Sequence, residues 1–389
     1  IIYIDELDKI SKTEHGKEIV GILTHLTDTT QNDSWSDKYF SGVKLDLSRV
    51  LFIFSYNDPS LIDKILLDRI HRIKTKALNK TEKVRIVQDY LLPELLNTVG
   101  FNVDDIIIED SEIEYIIDTY TYEAGVRKLK EKLFEILREI NLKCLMGEDI
   151  EIPYKLTIEC ISEIFVNKDK IIKKTILGES RIGLVNGLFA TASGIGGITI
   201  IETYRSLSEN RLSLELTGKQ GDVMKESMSV AKTVAWNLLS TKFQQTIRDN
   251  TAYGIHIHCP EAATPKDGPS AGGAITIAIL SQILGVRVNN KCAMTGEIDL
   301  NGSIHQIGGL ESKLYGAKVA GVKRVLIPES NRNDYEKILK SKDTRISEND
   351  PNFQIILVKH IHEVIPHFLL FNEGQMEEYI NMENHMFVV

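Results

Sequence analysis

The sequence is sparing with the features that would place it among membrane, disulfide-stapled or nucleic-acid-coating proteins. Its 389 residues hold four cysteines, Cys144, Cys160, Cys259 and Cys292, far apart and in no CxxC pair. That spacing excludes a disulfide framework and a cysteine zinc site, and suits reduced thiols in a reducing compartment. No apolar run reaches the about 20 residues that a membrane-spanning helix needs. Positive charge is not in excess: 46 Lys and Arg stand against 55 Asp and Glu, a net charge of −9. A general nucleic-acid-binding face wants the opposite sign, which leaves room only for a local basic patch and weak DNA binding. No internal repeat or low-complexity tract is present, and the chain opens on Ile1 without a methionine. Residues 1–4 form a strand pattern from the first position, as expected of a chain cut inside a domain, with any targeting segment upstream.

What is present is ordinary globular chemistry, 42% hydrophobic and 26% charged, in a chain long enough for two or three domains. Residues 1 to about 75 alternate between strand and helix patterns. The apolar runs 1–4 and 49–55 suit strands covered on both faces of a parallel sheet, and 16–26 has helical spacing. From about 76 to 175 the period is helical, over 83–98, 112–120 and 126–145, with residues 79–82 and Gly125 as boundary signals. The lysine-rich stretch 168–174 reads as a solvated linker. From 182 the pattern mixes again. Strand-like 185–188, 197–202, 212–216, 254–258, 325–327 and 354–358 alternate with helix-like 222–239, 271–284, 312–320 and 361–370, and Asn301-Gly302 is a hairpin signal. The expected class is multidomain α/β and α+β. An α/β part covers 1–75, a helical domain 76–175 and an α+β domain 182–370, followed by an unassigned tail, 371–389.

Two groups of residues carry chemistry. In the first, Asp5 and Glu6 follow an apolar strand; an Asp at that place holds Mg²⁺ through water, and the next Glu polarises an attacking water. Asn57, past the second apolar run, is placed to orient the same water. Arg69 and Arg127 supply the cations that phosphoryl transfer needs as charge builds on the phosphoryl oxygens. Taken singly, each arginine also reads as a surface ion-pair partner. No G-x-x-x-x-G-K-S/T phosphate loop occurs in the chain, so ATP and Mg²⁺ binding is expected of an intact parent.

The second group is Ser270, in the run Thr264-Pro-Lys-Asp-Gly-Pro-Ser-Ala-Gly-Gly273, together with Lys313 after Ile307-Gly-Gly-Leu310. Ser270 reads either as the cap of the apolar helix that follows or as a nucleophile whose oxyanion would meet the N–H groups of the helix start. Lys313 reads either as a solvated charge or, if burial brings its pKa down from about 10.4, as the base for Ser270. Thr295 is placed to hydrogen-bond that amine. Glu261 and Asp267 read as substrate-facing or structural. His256 and His258 alternate on one strand face, either packed there or paired with the serine.

In order and over nearly the whole chain to about residue 370, these residues resemble the Lon ATP-dependent proteases. Asp5-Glu6-Leu-Asp-Lys9 is similar to the family's Walker B box. Asn57 falls at its first sensor, Arg69 at its arginine finger and Arg127 at its second sensor. His256-Ile-His258, Pro260-Glu261, the 264–272 box, Met294-Thr-Gly-Glu297 and Lys313 resemble the protease signature. The resemblance implies a partial AAA+ core, its helical small domain and a Ser–Lys protease domain. It also implies a homohexameric ring that uses ATP and Mg²⁺ to deliver unfolded or damaged proteins, with no metal needed for peptide cleavage. A cytoplasmic location, or the mitochondrial matrix, goes with it. The departures sit mostly in the motor: Gly16-Lys-Glu18 in place of Gly-Asp-Pro, no aromatic in 10–15, and Thr29-Thr30 in place of Pro-Glu. The expectation is an ATP-dependent serine endopeptidase. The alternative is a non-proteolytic AAA+ remodeller or DNA-associated ATPase, free to lose Ser270 or Lys313.

Overall fold

The computed structural model describes residues 1–10, 13–36, 39, 42–73, 75, 77–121, 123–147, 151–171, 174–191, 194–260, 268–340, 346–348 and 350–381. Two compact units result, residues 1–76 and 77–389.

In the first unit, Ile2–Ile4 pairs in parallel with Phe52–Phe54, Ile2 opposite Phe52. The pairing is the one expected of the two apolar runs, but each strand is only three residues long and keeps a wet face. Tyr3 and Ile53 are 59% and 42% exposed, because successive side chains point to opposite sides of a strand. Ile4 and Phe54 turn inward onto Leu7, Leu23, Ile62 and Leu66. The helix Glu14–Thr27 contributes Leu23, and it starts where the Thr13 hydroxyl accepts the Gly16 N–H.

The second unit opens with a helical segment whose core includes Val84, Ile113, Leu133 and Phe165. Asn79 and Glu82 close a reciprocal capping box on Lys80–Ile86. The expected single helix over 83–98 is interrupted: Val87–Leu91 is π-helical before Leu92–Val99 resumes. Pro93 lacks the N–H that would continue the α ladder, which accounts for the break.

The rest of the unit is built on a seven-stranded mixed sheet. Its spatial order is Gln354–Val358, Arg324–Pro328, Cys292–Met294, Leu184–Ala190, Gly196–Ser206, Gly254–His258, Leu214–Thr217. Neighbours among the first four are parallel. Gly196–Ser206 runs antiparallel to both its neighbours, and the last strand is parallel to Gly254–His258. The strand expected from 212 starts later because Leu212 has a positive φ of 52°.

Alternation along the strands sends side chains to two cores. Val185 and Ile201 join the core that holds the helices Asp222–Asn237 and Gly272–Leu284. Leu188 and Ile198 join the other, beneath Leu310–Val319 and Arg332–Lys340. In Gly272–Leu284, every residue but Gln282 is buried, which explains why its sequence is apolar all round. Glu297–Ile298 and Ile304–His305 form the hairpin that Asn301-Gly302 signals. Among the described residues, no helix is long and apolar enough to cross a membrane.

Candidate active site

Ser270 sits in a single 3₁₀ turn, Pro269–Ala271, directly ahead of the helix Gly272–Leu284. Gly268 feeds that turn at φ 135°, a conformation closed to residues with a Cβ. The cap reading of Ser270 does not hold, since Ala271 is the cap residue and no side chain caps that helix. The turn lies tight against the sheet: a Cβ on Gly272 would meet Ile298 Cγ2 at 2.8 Å, and one on Gly273 would meet Met294 Cε at 2.3 Å. Ser227, from the helix Asp222–Asn237, donates to the Pro269 carbonyl at 3.4 Å.

Lys313 comes from the opposite face of the sheet, on the helix Leu310–Val319. Two glycine contacts draw that helix onto the strand backbone. A Cβ on Gly196 would lie 1.9 Å from the Ser312 carbonyl oxygen, and one on Gly316 would lie 2.3 Å from the Gly196 carbonyl carbon. Asn331, fully buried, clamps the approach to the helix: its side chain accepts the Ile307 N–H and donates to the Ile307 carbonyl, both at 2.9 Å. Asn331 carried no signal in the sequence; Gly316, a glycine inside a helical pattern, did.

The two faces meet just past the end of Cys292–Met294. Lys313 Nζ donates to Thr295 Oγ1 at 3.1 Å, and Thr295 Oγ1 donates to the Ser270 carbonyl at 3.2 Å. The Gly296 N–H holds the same carbonyl at 2.8 Å. Thr295 has one proton, already given to Ser270, so it can only accept from the lysine. Lys313 is 4% exposed, and burial pushes its amine down to about 8. Among the described residues, no charge partner adds to that effect. Ser270, Thr295 and Lys313 are thus brought into one chain of contacts.

The other sequence candidates fall elsewhere. His256 and His258 share the Thr217 hydroxyl, at 2.9 Å to Nε2 and 2.7 Å to Nδ1. His256 Nδ1 also lies 3.8 Å from Glu215, so both are tied to the neighbouring strand. Glu261 and Asp267 lie outside the described residues, as do 264–266 of the serine box.

In the first unit, Asp5 and Asn57 lie at the same end of the parallel pair, and both are exposed. Ser55 donates its hydroxyl to Asp5 Oδ1, and Tyr3 donates to Ser55 at 3.3 Å. The Ser55 hydroxyl first, then the Tyr3 hydroxyl and the Glu6 N–H, hold the Asp5 carboxyl below its usual range. Glu6 follows at φ 53°, a strained angle for a residue with a Cβ. Arg69 turns to its own unit, donating to Asp28 at 2.6 Å and to the Thr24 carbonyl at 2.9 Å. Asp28 is lowered to about 2, chiefly by the Thr30 hydroxyl and N–H and only secondarily by Arg69. Arg127 belongs to the second unit, where it is 92% exposed and 3.7 Å from Glu131. It starts the helix Arg127–Leu145, whose first N–H groups, from Lys128 and Leu129, are taken by the Glu123 carboxylate. Among the described residues, no cluster of His, Cys, Asp and Glu is arranged to hold a metal ion.

These three parts match known families in the same order. Residues 1–78 match the ATPase family associated with various cellular activities, 97–152 the Lon protease AAA+ ATPase lid domain, and 157–371 the Lon protease (S16) C-terminal proteolytic domain. The class is therefore an AAA ATPase segment joined through a lid to a proteolytic domain. The chain belongs to the Lon protease family. It is 37% identical to a Lon protease homolog of Acanthamoeba polyphaga mimivirus, over 94% of this chain and 41% of that protein. It is 37% identical to a Lon protease of Methanosarcina barkeri, over 94% and 44%. The figure for a Lon protease of Campylobacter jejuni is 36%, over 95% and 46%. The chain spans less than half the length of these relatives.

Proposed function

We propose that the chain is the cleaving portion of an ATP-dependent serine endopeptidase, with its lid over 76–175 and its protease domain over 182–370. Ser270 attacks the peptide carbonyl, Lys313 takes the serine proton and returns it to the leaving amine, and Thr295 holds Lys313. Backbone N–H groups around Ser270 receive the oxyanion. The observation that carries this reading is the buried Lys313 amine, lowered to about 8 with the Thr295 hydroxyl beside it. A lysine at about 8 is neutral often enough near pH 7 to act as a base, which one in water is not. Its lone pair is not needed by Thr295, which can only accept, so it is left for the serine.

For the nucleotide side, Mg²⁺ with ATP would supply charge neutralisation at the phosphates. The ionised Asp5 suits one carboxylate ligand for such an ion, with Glu6 and Asn57 at the same strand ends. Arg69 and Arg127 are the cations we assign to neighbouring phosphates. Unfolded or damaged proteins as substrates, a homohexameric ring and a reducing compartment, which the four free cysteines suit, complete the reading. Ser270→Ala is expected to abolish peptide cleavage and labelling by a serine-reactive peptide boronate. Persistent cleavage by a pure Ser270→Ala preparation would overturn the assignment.

A further inference from the structure

Away from the serine turn, a cavity of about 340 Å³ opens beside the end of the helix Asp222–Asn237 and the helix Thr241–Asp249. Three of its lining residues are cations, Arg211, Lys232 and Arg248, and no lining residue is acidic. In a chain of net charge −9 that is a local inversion of sign. None of the three cations is paired to a carboxylate among the described residues. Arg248 lies over the Trp236 ring, 5.7 Å from its centroid. Arg211 spends Nη1 on the Ile247 and Asn250 carbonyls, at 3.0 and 2.5 Å, where Thr241–Asp249 ends. The remaining lining is Thr233, Trp236 and the buried Leu212 and Ile247, mostly apolar. Leu212 is held at φ 52°, a costly backbone state that natural proteins keep disproportionately at ligand clamps.

An anionic head with an apolar arm matches this lining. Arg211 is taken up by the carbonyls at the end of Thr241–Asp249, which leaves Lys232 and Arg248 to meet a carboxylate. The volume, at the small end of ligand sites, suits one apolar side chain and its terminus. We propose that this cavity binds the C-terminal carboxylate and last apolar side chain of a peptide. The source of such ligands rests on the protease reading, because each cleavage creates a new C-terminal carboxylate. The helix that carries Lys232 and Trp236 also places Ser227, roughly two and a half turns before Trp236, against Pro269. Occupancy therefore bears on an element that touches the serine turn.

The test uses the 389-residue chain carrying Ser270→Ala, which removes turnover. Fluorescein-labelled Ala-Ala-Leu, as free acid and as C-terminal amide, is titrated with this protein by fluorescence anisotropy. The acid is expected to bind about tenfold or more tightly than the amide, the effect of losing one charge-assisted contact. Lys232→Gln and Arg248→Gln, at a half-buried and an exposed position, are expected to erase that preference. The proposal is overturned if neither peptide binds up to millimolar protein, if acid and amide bind alike, or if the preference survives both substitutions. It is also overturned if adenosine monophosphate displaces the labelled acid more tightly than unlabelled acid does. None of these outcomes touches the Ser270 assignment, and loss of that assignment would leave the binding result standing.

Discussion

Replacing Lys313 by Met should make the protein more stable while removing its cleavage. Burial holds the amine at about 8 against an ordinary 10.5. That gap corresponds to about 3 kcal/mol of destabilisation at neutral pH. Met keeps the unbranched stem in its slot and discards the charge. It forfeits the 3.1 Å bond to Thr295, worth about 1 kcal/mol. The net gain is about 2 kcal/mol, which raises the unfolding midpoint of a domain of this size by about 4–8 °C. The sign with pH follows from the direction of the shift. A lysine lowered on folding costs stability in full below about 8, and the cost fades as pH climbs from about 8 to 10.5. Scanning calorimetry of wild type and Lys313→Met at pH 7 and pH 10.5 reads both effects: a clear gap at the first and little at the second. A Met variant less stable than wild type at pH 7, or a gap that does not change with pH, would refute the claim that Lys313 is buried at a cost.

Four further outcomes are expected. Peptide cleavage should fall about tenfold for each pH unit below about 8, and a profile flat from pH 6 to 9 would remove Lys313 as the base. Thr295→Val keeps the shape but deletes the bridge between Lys313 and Ser270; cleavage should drop about tenfold or more, and the two lost hydrogen bonds, about 1 kcal/mol each, should lower the unfolding midpoint by about 4–8 °C. Gly316→Ala drives a methyl into the Gly196 backbone; it should cost about 3 kcal/mol and reduce cleavage even at temperatures where the variant is folded. Arg69→Ala should leave the melting of the first unit nearly unchanged, because Thr30 rather than Arg69 is the main support of Asp28; a large drop would mean the arginine is structural.

Much of the site was legible because catalysis and folding leave different marks on sequence. Ser270 was visible through its Gly-Pro turn and apolar helix, Lys313 through its distance beyond a Gly-Gly pair, and Thr295 through the run Met294-Thr-Gly-Glu297. The hairpin at Asn301-Gly302 was readable from local turn chemistry, and the pairing of the first two apolar runs from their continuous apolar character. What escaped was long-range. Nothing near Asn331 indicates that it clamps Ile307, twenty-four residues away. Nothing near Gly196 says that a helix will rest on it. The wet faces of Ile2–Ile4 and Phe52–Phe54 escaped for a related reason: a continuous apolar run reports strand propensity, while cover depends on what packs above it. The break at Val87–Leu91 was announced by Pro93 and is a matter of reading one residue more closely.

The serine and the lysine reach each other from opposite sides of one sheet, joined by a threonine at a strand end. Neither layer alone holds both groups, and Lys313 loses its lowered pKa once its side of the sheet is wet. A half-folded copy of this chain therefore has a serine without a base and a lysine that stays protonated. That arrangement ties the lowered pKa of Lys313 to the completion of the fold.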